Sequence, residues 1–235
     1  MRYSYSGGSS LYRQSVLGVC LLVALTTASA QSHHSETPSV GPKEALDRLA
    51  QGNAHFVAGK ATHPRQDAAT RKDLTAGQQP FAVVLSCSDS RVPPELLFDQ
   101  GIGDLFVVRV AGNIGGEDDL GSVEYAVEHL HTSLIIVLGH EKCGAVTAAL
   151  SPDSVQKHEA IAIQQLLAHV APSLKNIDRS LPASEQVRQG VEANVRASVV
   201  HLQTTPEVRE KIAGGKLDII GAVYELETGK VRFLQ

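Results

Sequence analysis

Basic residues are not in excess in this 235-residue chain: 21 Lys and Arg stand against 25 Asp and Glu, a formal charge of -4. Without a cationic surplus, neither nucleic acid nor an anionic membrane surface is the expected partner. Cysteine is scarce too, with three in the whole chain, too few for a disulfide framework, so each is read individually. Tryptophan is absent and aromatic residues make up 4%. No repeat or low-complexity tract breaks the pattern. The apolar run Val16 to Leu25 falls short of the ~20 residues that a membrane-spanning helix needs. What remains, 43% hydrophobic and 20% charged residues, is an ordinary globular balance.

Arg2 and Arg13 are the only charges before Glu36, and they precede that apolar run, which Ala28-Ser29-Ala30 follows. A positive start, a short apolar core and an A-x-A site predict a secretory signal peptide cleaved after Ala30. The mature protein is then exported, to the periplasm, and free of the membrane. The expected organisation is a signal peptide over 1–30, a flexible mature N-terminus over 31–41, and a single domain over 42–235. A lipoprotein reading of Cys20 competes, but Val19 before it is not small and the apolar run continues past it. A core helix fits poorly, because the run has no polar face.

Past Pro42, a helical stretch carries Ala45, Leu46, Leu49 and Phe56 at three- and four-residue spacings. Three short, nearly unbroken apolar runs follow: Phe81 to Ser86, Leu105 to Val108 and Leu134 to Leu138. Such runs suit strands buried on both faces, hence a parallel sheet. Helical segments lie between them, near Pro94 to Phe98 and over Leu120 to Leu130, with longer helices over Ala160 to Val170 and Glu185 to Leu202. Lys216 to Tyr224 and Val231 to Leu234 close the chain as strands, joined by a turn at Glu227-Thr-Gly229. The fold class is α/β: a central, mostly parallel sheet flanked by helices, with an N-terminal helical arm.

The chemistry gathers at two strand ends. After the first strand stands Cys87-Ser-Asp89-Ser-Arg91, and after the third, Gly139-His140-Glu-Lys-Cys143-Gly144. In a parallel sheet both fall at the carboxyl edge, where sites assemble. Two sulfurs and an imidazole, Cys87, Cys143 and His140, favour Zn²⁺, and three protein ligands leave a fourth position open, the arrangement of a catalytic metal. Plainer readings exist. Buried free cysteines are common core residues, and a lone loop histidine is usually hydrogen-bonded. In an exported protein a Cys87–Cys143 disulfide is the serious rival; His140 beside Cys143, and Asp89 with Arg91 beside Cys87, weigh against a simple bridge.

The pattern Cys87-x-Asp89-x-Arg91 with His140-x-x-Cys143-Gly144 resembles the β-class carbonic anhydrases, and the resemblance covers nearly the whole mature chain. It implies Zn²⁺ held by Cys87, His140 and Cys143, with Asp89 and Arg91 as a dyad beside the metal and Asp89 as a fourth ligand in a closed state. It implies substrate-pocket roles for Gln78, Phe106 and Tyr125, the last reaching across a dimer interface, and a backbone N–H from Gly144 near the substrate oxygen. The implied reaction is reversible hydration of CO₂ to bicarbonate and a proton, in a homodimer or higher homo-oligomer. Two readings stand beside it: hydrolysis of a sulfur analogue such as carbonyl sulfide, and a non-catalytic zinc or redox module. Asp89, Arg91 and Gln78 favour catalysis, because a structural site needs no polar shell around an open position.

Two departures from the family pattern stand out. Arg109-Val-Ala-Gly-Asn113 replaces the common Arg-Asn-Val-Ala-Asn, implying a smaller pocket wall near Ala111. Members with a regulatory bicarbonate pocket carry Trp three residues before the first ligand, where this chain has Val84, so inhibition of that kind is not expected. The acidic run Glu117-Asp118-Asp119 lacks the spacing of oxygen ligands and reads as a solvated loop whose charges favour a helix starting at Leu120. Gly101-x-Gly103 opens no helix and is no nucleotide loop. The remaining histidines lack partner motifs.

Overall fold

The computed structural model describes residues 40–234. The expected signal peptide over 1–30 and residues 31–39 of the expected mature N-terminus lie outside the described residues. Val40 packs on the apolar cluster beneath the first helix, and Gly41 is that helix's N-cap.

Five strands form one sheet: β1 (Ala82–Ser86), β2 (Leu105–Arg109), β3 (Leu134–His140), β4 (Asp218–Tyr224) and β5 (Val231–Phe233). Their order is β2-β1-β3-β4-β5, with every pairing parallel except β4 with β5. β1 and β3 are buried at every position, as their unbroken apolar runs require. Strand alternation divides them between two cores. Val83, Leu85, Ile135 and Val137 face one side; Ala82, Val84, Leu134, Ile136 and Leu138 face the other. Cys87 follows the odd register and joins the first core.

Helix α1 (Pro42–Val57) and the short α3 (Pro94–Leu97) cover the second face. Between them lies α2 (Ala68–Asp73), which Asp67 caps by accepting from Thr70 N at 2.9 Å. α1 is stitched down by buried Asn53, which donates to Leu97 O and Gly229 O at 3.0 Å each and accepts from Val231 N at 2.8 Å. One side chain thus holds α1, α3 and the β5 hairpin together. Asn53→Ala removes three buried hydrogen bonds and is expected to cost about 3 kcal/mol. In a domain this size that lowers the melting temperature by roughly 6–12 °C in calorimetry. An unchanged transition would refute the assignment.

The first face is covered by α4 (Glu117–His129), α5 (Gly144–Leu150), α7 (Ile161–Val170), α8 (Ala183–Leu202) and α9 (Pro206–Ala213). The brief α6 (Asp153–Gln156) links α5 to α7. α8 lies very close to the sheet. A Cβ on Gly139 would stand 2.5 Å from Val195, and one on Gly221 would stand 2.8 Å from the same side chain. Those two glycines admit the helix. One reading is corrected: Glu117, Asp118 and Asp119 form the first turn of α4, not a loop before it, and Asp119 accepts from Gly116 N at 3.2 Å. Acid at a helix N-terminus is favourable, so the helix starts there. Among the described residues no helix is long and apolar enough to cross a membrane.

Candidate active site

Cys87 leaves β1 at the carboxyl edge of the sheet, His140 ends β3 beside it, and Cys143 is the N-cap of α5. Lys142 adopts φ +53°, the left-handed turn that swings the chain from β3 into α5 and returns Cys143 beside His140. The Sγ atoms of both cysteines and a ring nitrogen of His140 lie within 4.8 Å of one another, all three residues buried. Both cysteines are free thiols, so the disulfide rival is not what this structure contains.

His140 is fully buried, and its Nδ1 lies 2.9 Å from the Glu141 carbonyl oxygen. A carbonyl only accepts, so Nδ1 carries the proton and Nε2 presents a lone pair. That Nε2 has no hydrogen-bond partner. A buried nitrogen facing two sulfurs without a partner is costly unless something electron-poor sits among the three. The donor set of two thiols and a neutral imidazole fits Zn²⁺ with one position left open. The thiols titrate as a pair. A hydrogen bond from Cys143, helped by the Gly112 N–H, pulls Cys87 down; the Cys87 thiolate and burial push Cys143 up.

Asp89 borders the same space, with Oδ2 3.8 Å from His140 Nε2, too far for a hydrogen bond. Arg91 grips its carboxylate with Nε to Oδ1 at 2.9 Å and Nη2 to Oδ2 at 2.7 Å, and Arg91 N adds a third bond to Oδ1 at 2.9 Å. The guanidinium holds the Asp89 carboxyl well below the usual carboxylate range. Arg109 steadies the loop from β2, donating to Cys87 O at 3.1 Å and Asp89 O at 2.7 Å. Glu141 ties the other loop to the sheet by accepting from Leu226 N at 3.1 Å. Gly144 opens α5, with no atom within 4 Å of where a Cβ would sit.

The residues expected to line the substrate pocket lie away from the cluster in this subunit. Phe106 is level with Val83, four residues before Cys87, about 13 Å back along the sheet. Its ring is 6.3 Å from that of Tyr125, which is 48% exposed on α4. Gln78 is exposed before β1, towards the amino edge. Sequence reasoning missed two contributors: the clamp by Arg109, and Asn194 of α8, which reaches Gly112 across 82 residues. The motif around Cys87 carries no trace of either.

A family model described as carbonic anhydrase matches residues 82–231. Carbonic anhydrase 2 of Mycobacterium tuberculosis is 41% identical over 194 residues, spanning 82% of this chain and 93% of that protein. Among solved structures, the β-carbonic anhydrase CcaA superposes with a TM-score of 0.67 at 30% identity, covering 81% of this chain and 95% of its own. A tetrameric β-carbonic anhydrase from Sordaria macrospora gives 0.65 at 27% identity, covering 81% and 97%. With a thiol–imidazole–thiol cluster at the carboxyl edge and relatives matched over most of their length, this chain belongs to the β-class carbonic anhydrases, a family of lyases.

Proposed function

We propose that the chain catalyses reversible hydration of CO₂ to bicarbonate and a proton, with Zn²⁺ held by Cys87, His140 and Cys143. The observation that carries this reading is the buried, partnerless Nε2 of His140 facing two free thiols. Zinc bound there supplies Lewis acidity and makes water acidic enough to lose a proton near neutral pH. The protein does the rest. Glu141 O fixes the tautomer of His140, so its lone pair always faces the cluster. Asp89, kept ionised by Arg91, accepts a hydrogen bond from the attacking water and so turns a lone pair towards carbon. Gly144, which opens α5 directly after Cys143, offers its N–H to the developing carboxylate oxygen. Burial of both sulfurs keeps competing solvent from the ligands.

Stopped-flow CO₂ hydration on zinc-loaded protein, with metal content measured on the same sample, tests the reading. One zinc per chain and rapid hydration are expected. Zinc-replete protein that turns over carbonyl sulfide but not CO₂ would move the substrate to the sulfur analogue. Zinc without either activity would leave a non-catalytic module.

The exposed Tyr125 and the unpaired edge strand β2 point to a second copy of the chain covering this side, as an open sheet edge calls for cover. The protein is therefore expected to sediment as a dimer or larger at assay concentration; a fully active monomer would contradict this. Export is part of the same proposal. N-terminal sequencing of protein from the exported fraction should begin at Gln31, and an intact Met1 on cytoplasmic protein would refute it.

A further inference from the structure

The Cys87 sulfur accepts a hydrogen bond from Gly112 N at 3.3 Å. Gly112 has φ +79°, a conformation a side chain would strain, and a Cβ there would stand 3.1 Å from Ala145. Glycine moves freely about such angles, so something must hold the amide on the sulfur. The holding group comes from α8. Asn194, 2% exposed, donates through Nδ2 to Gly112 O at 2.6 Å. Its neighbour Val195 is wedged against Gly139 and Gly221, so the helix cannot drift along the sheet and Asn194 keeps its place. One turn on, Ser198 donates to Asn113 O at 3.1 Å, fixing the next carbonyl of the same loop. Gly112 is thus the only residue of that loop whose N–H goes to a ligand sulfur while its C=O is pinned by a helix side chain.

We propose that Asn194 is a positioning residue for the metal centre: by pinning the Gly112 carbonyl it aims the Gly112 N–H at Cys87 and so tunes that sulfur as a ligand. Two thiolates cancel most of the charge of Zn²⁺ and blunt its ability to acidify water. An N–H directed at one sulfur draws electron density off it and restores part of that Lewis acidity. Partners in this outer layer typically shift metal affinity or activity by ~10–100-fold.

The inference rests on the zinc assignment above, and the test separates the two. Co²⁺-loaded wild-type protein should show a sulfur-to-cobalt charge-transfer band. In Asn194→Leu, which keeps the branched shape, slightly larger, without a donor, the band should move to longer wavelength, because a sulfur stripped of its N–H gives up an electron more readily. Zinc affinity should fall about 10-fold. Ser198→Ala removes a comparable bond from the same helix to the same loop and should leave the band where it is. A measurement on wild-type protein guards against a variant that fails to fold. With NMR-active cadmium in the site, the Gly112 amide proton should show scalar coupling to the metal through the Cys87 sulfur. Absence of that coupling, or an unmoved band in folded Asn194→Leu, overturns the positioning role while leaving the metal site intact. Equal band shifts in Asn194→Leu and Ser198→Ala would reduce it to general loop packing. A wild-type protein with no charge-transfer band at all overturns the metal assignment and the inference together.

Discussion

Cys143→Ala is expected to lose zinc and CO₂ hydration together. Structural zinc binds with an apparent ~10–16 kcal/mol. Divided among the ligands, one thiolate is worth about 3 kcal/mol, or roughly 100-fold in affinity. The true cost should be larger, because the remaining sulfur of Cys87 would lose the thiol beside it, the main group that makes it acidic. Zinc must displace the proton left on the thiol pair, so wild-type affinity should fall as pH falls and rise as it rises. Cys87→Ala and His140→Ala should behave like Cys143→Ala, since a catalytic zinc rests on three protein ligands. The fold should survive, because all three residues stand at the carboxyl edge, outside the strand centres. Circular dichroism with metal analysis by mass spectrometry separates loss of zinc from loss of structure. Full zinc retention by Cys143→Ala would remove that residue from the ligand set.

How much of this was legible in the sequence follows from the range of each interaction. Strands buried on both faces announce themselves as unbroken apolar runs, so β1 and β3 could be placed within a residue or two. The thiol–imidazole cluster was legible for a related reason: Cys87 follows directly on one such run, His140 and Cys143 come within five residues of another, and parallel neighbours deliver those ends to one edge. The start of α4 was misplaced because three acids in a row look like a solvated loop, whereas at an N-terminus they are themselves helical. Short helices such as α2 and α5 gave too few turns for a period to show. Asn194 was illegible for a deeper reason. A single polar residue on a helix face acquires its meaning from a carbonyl 82 positions away, and only packing brings the two together. The two aromatics expected in the pocket sit in between. Phe106 and Tyr125 do pair, but at the sheet's outer edge, level with Val83 rather than with the cluster.

Arg91→Ala is expected to keep its zinc and lose most of its activity, more severely near pH 7 than near pH 9. The guanidinium is half exposed, so its ion pair contributes little to folding and the variant should remain stable. Its effect on the site is larger, because it occupies both oxygens of Asp89. Released, that carboxylate stands beside the open position and is free to fill it. The pH dependence does not come from titration of the pair. The Asp89 carboxyl is held below its unfolded value, near 3.9. Whatever stability the pair adds is therefore present above that value and lost only as pH falls through the lower folded one. Between pH 7 and 9 both partners stay charged. What changes over that window is the competitor, because water is a poorer ligand than hydroxide and gives way to a carboxylate more readily as pH falls. Asp89→Ala should also lose activity, by leaving the attacking water unoriented, yet without closing the metal. Its loss should therefore lack the recovery at high pH. Zinc X-ray absorption on Arg91→Ala across this range should show an added oxygen ligand near pH 7 that recedes towards pH 9. An unchanged coordination shell with wild-type turnover would leave Asp89 and Arg91 as a surface ion pair and nothing more.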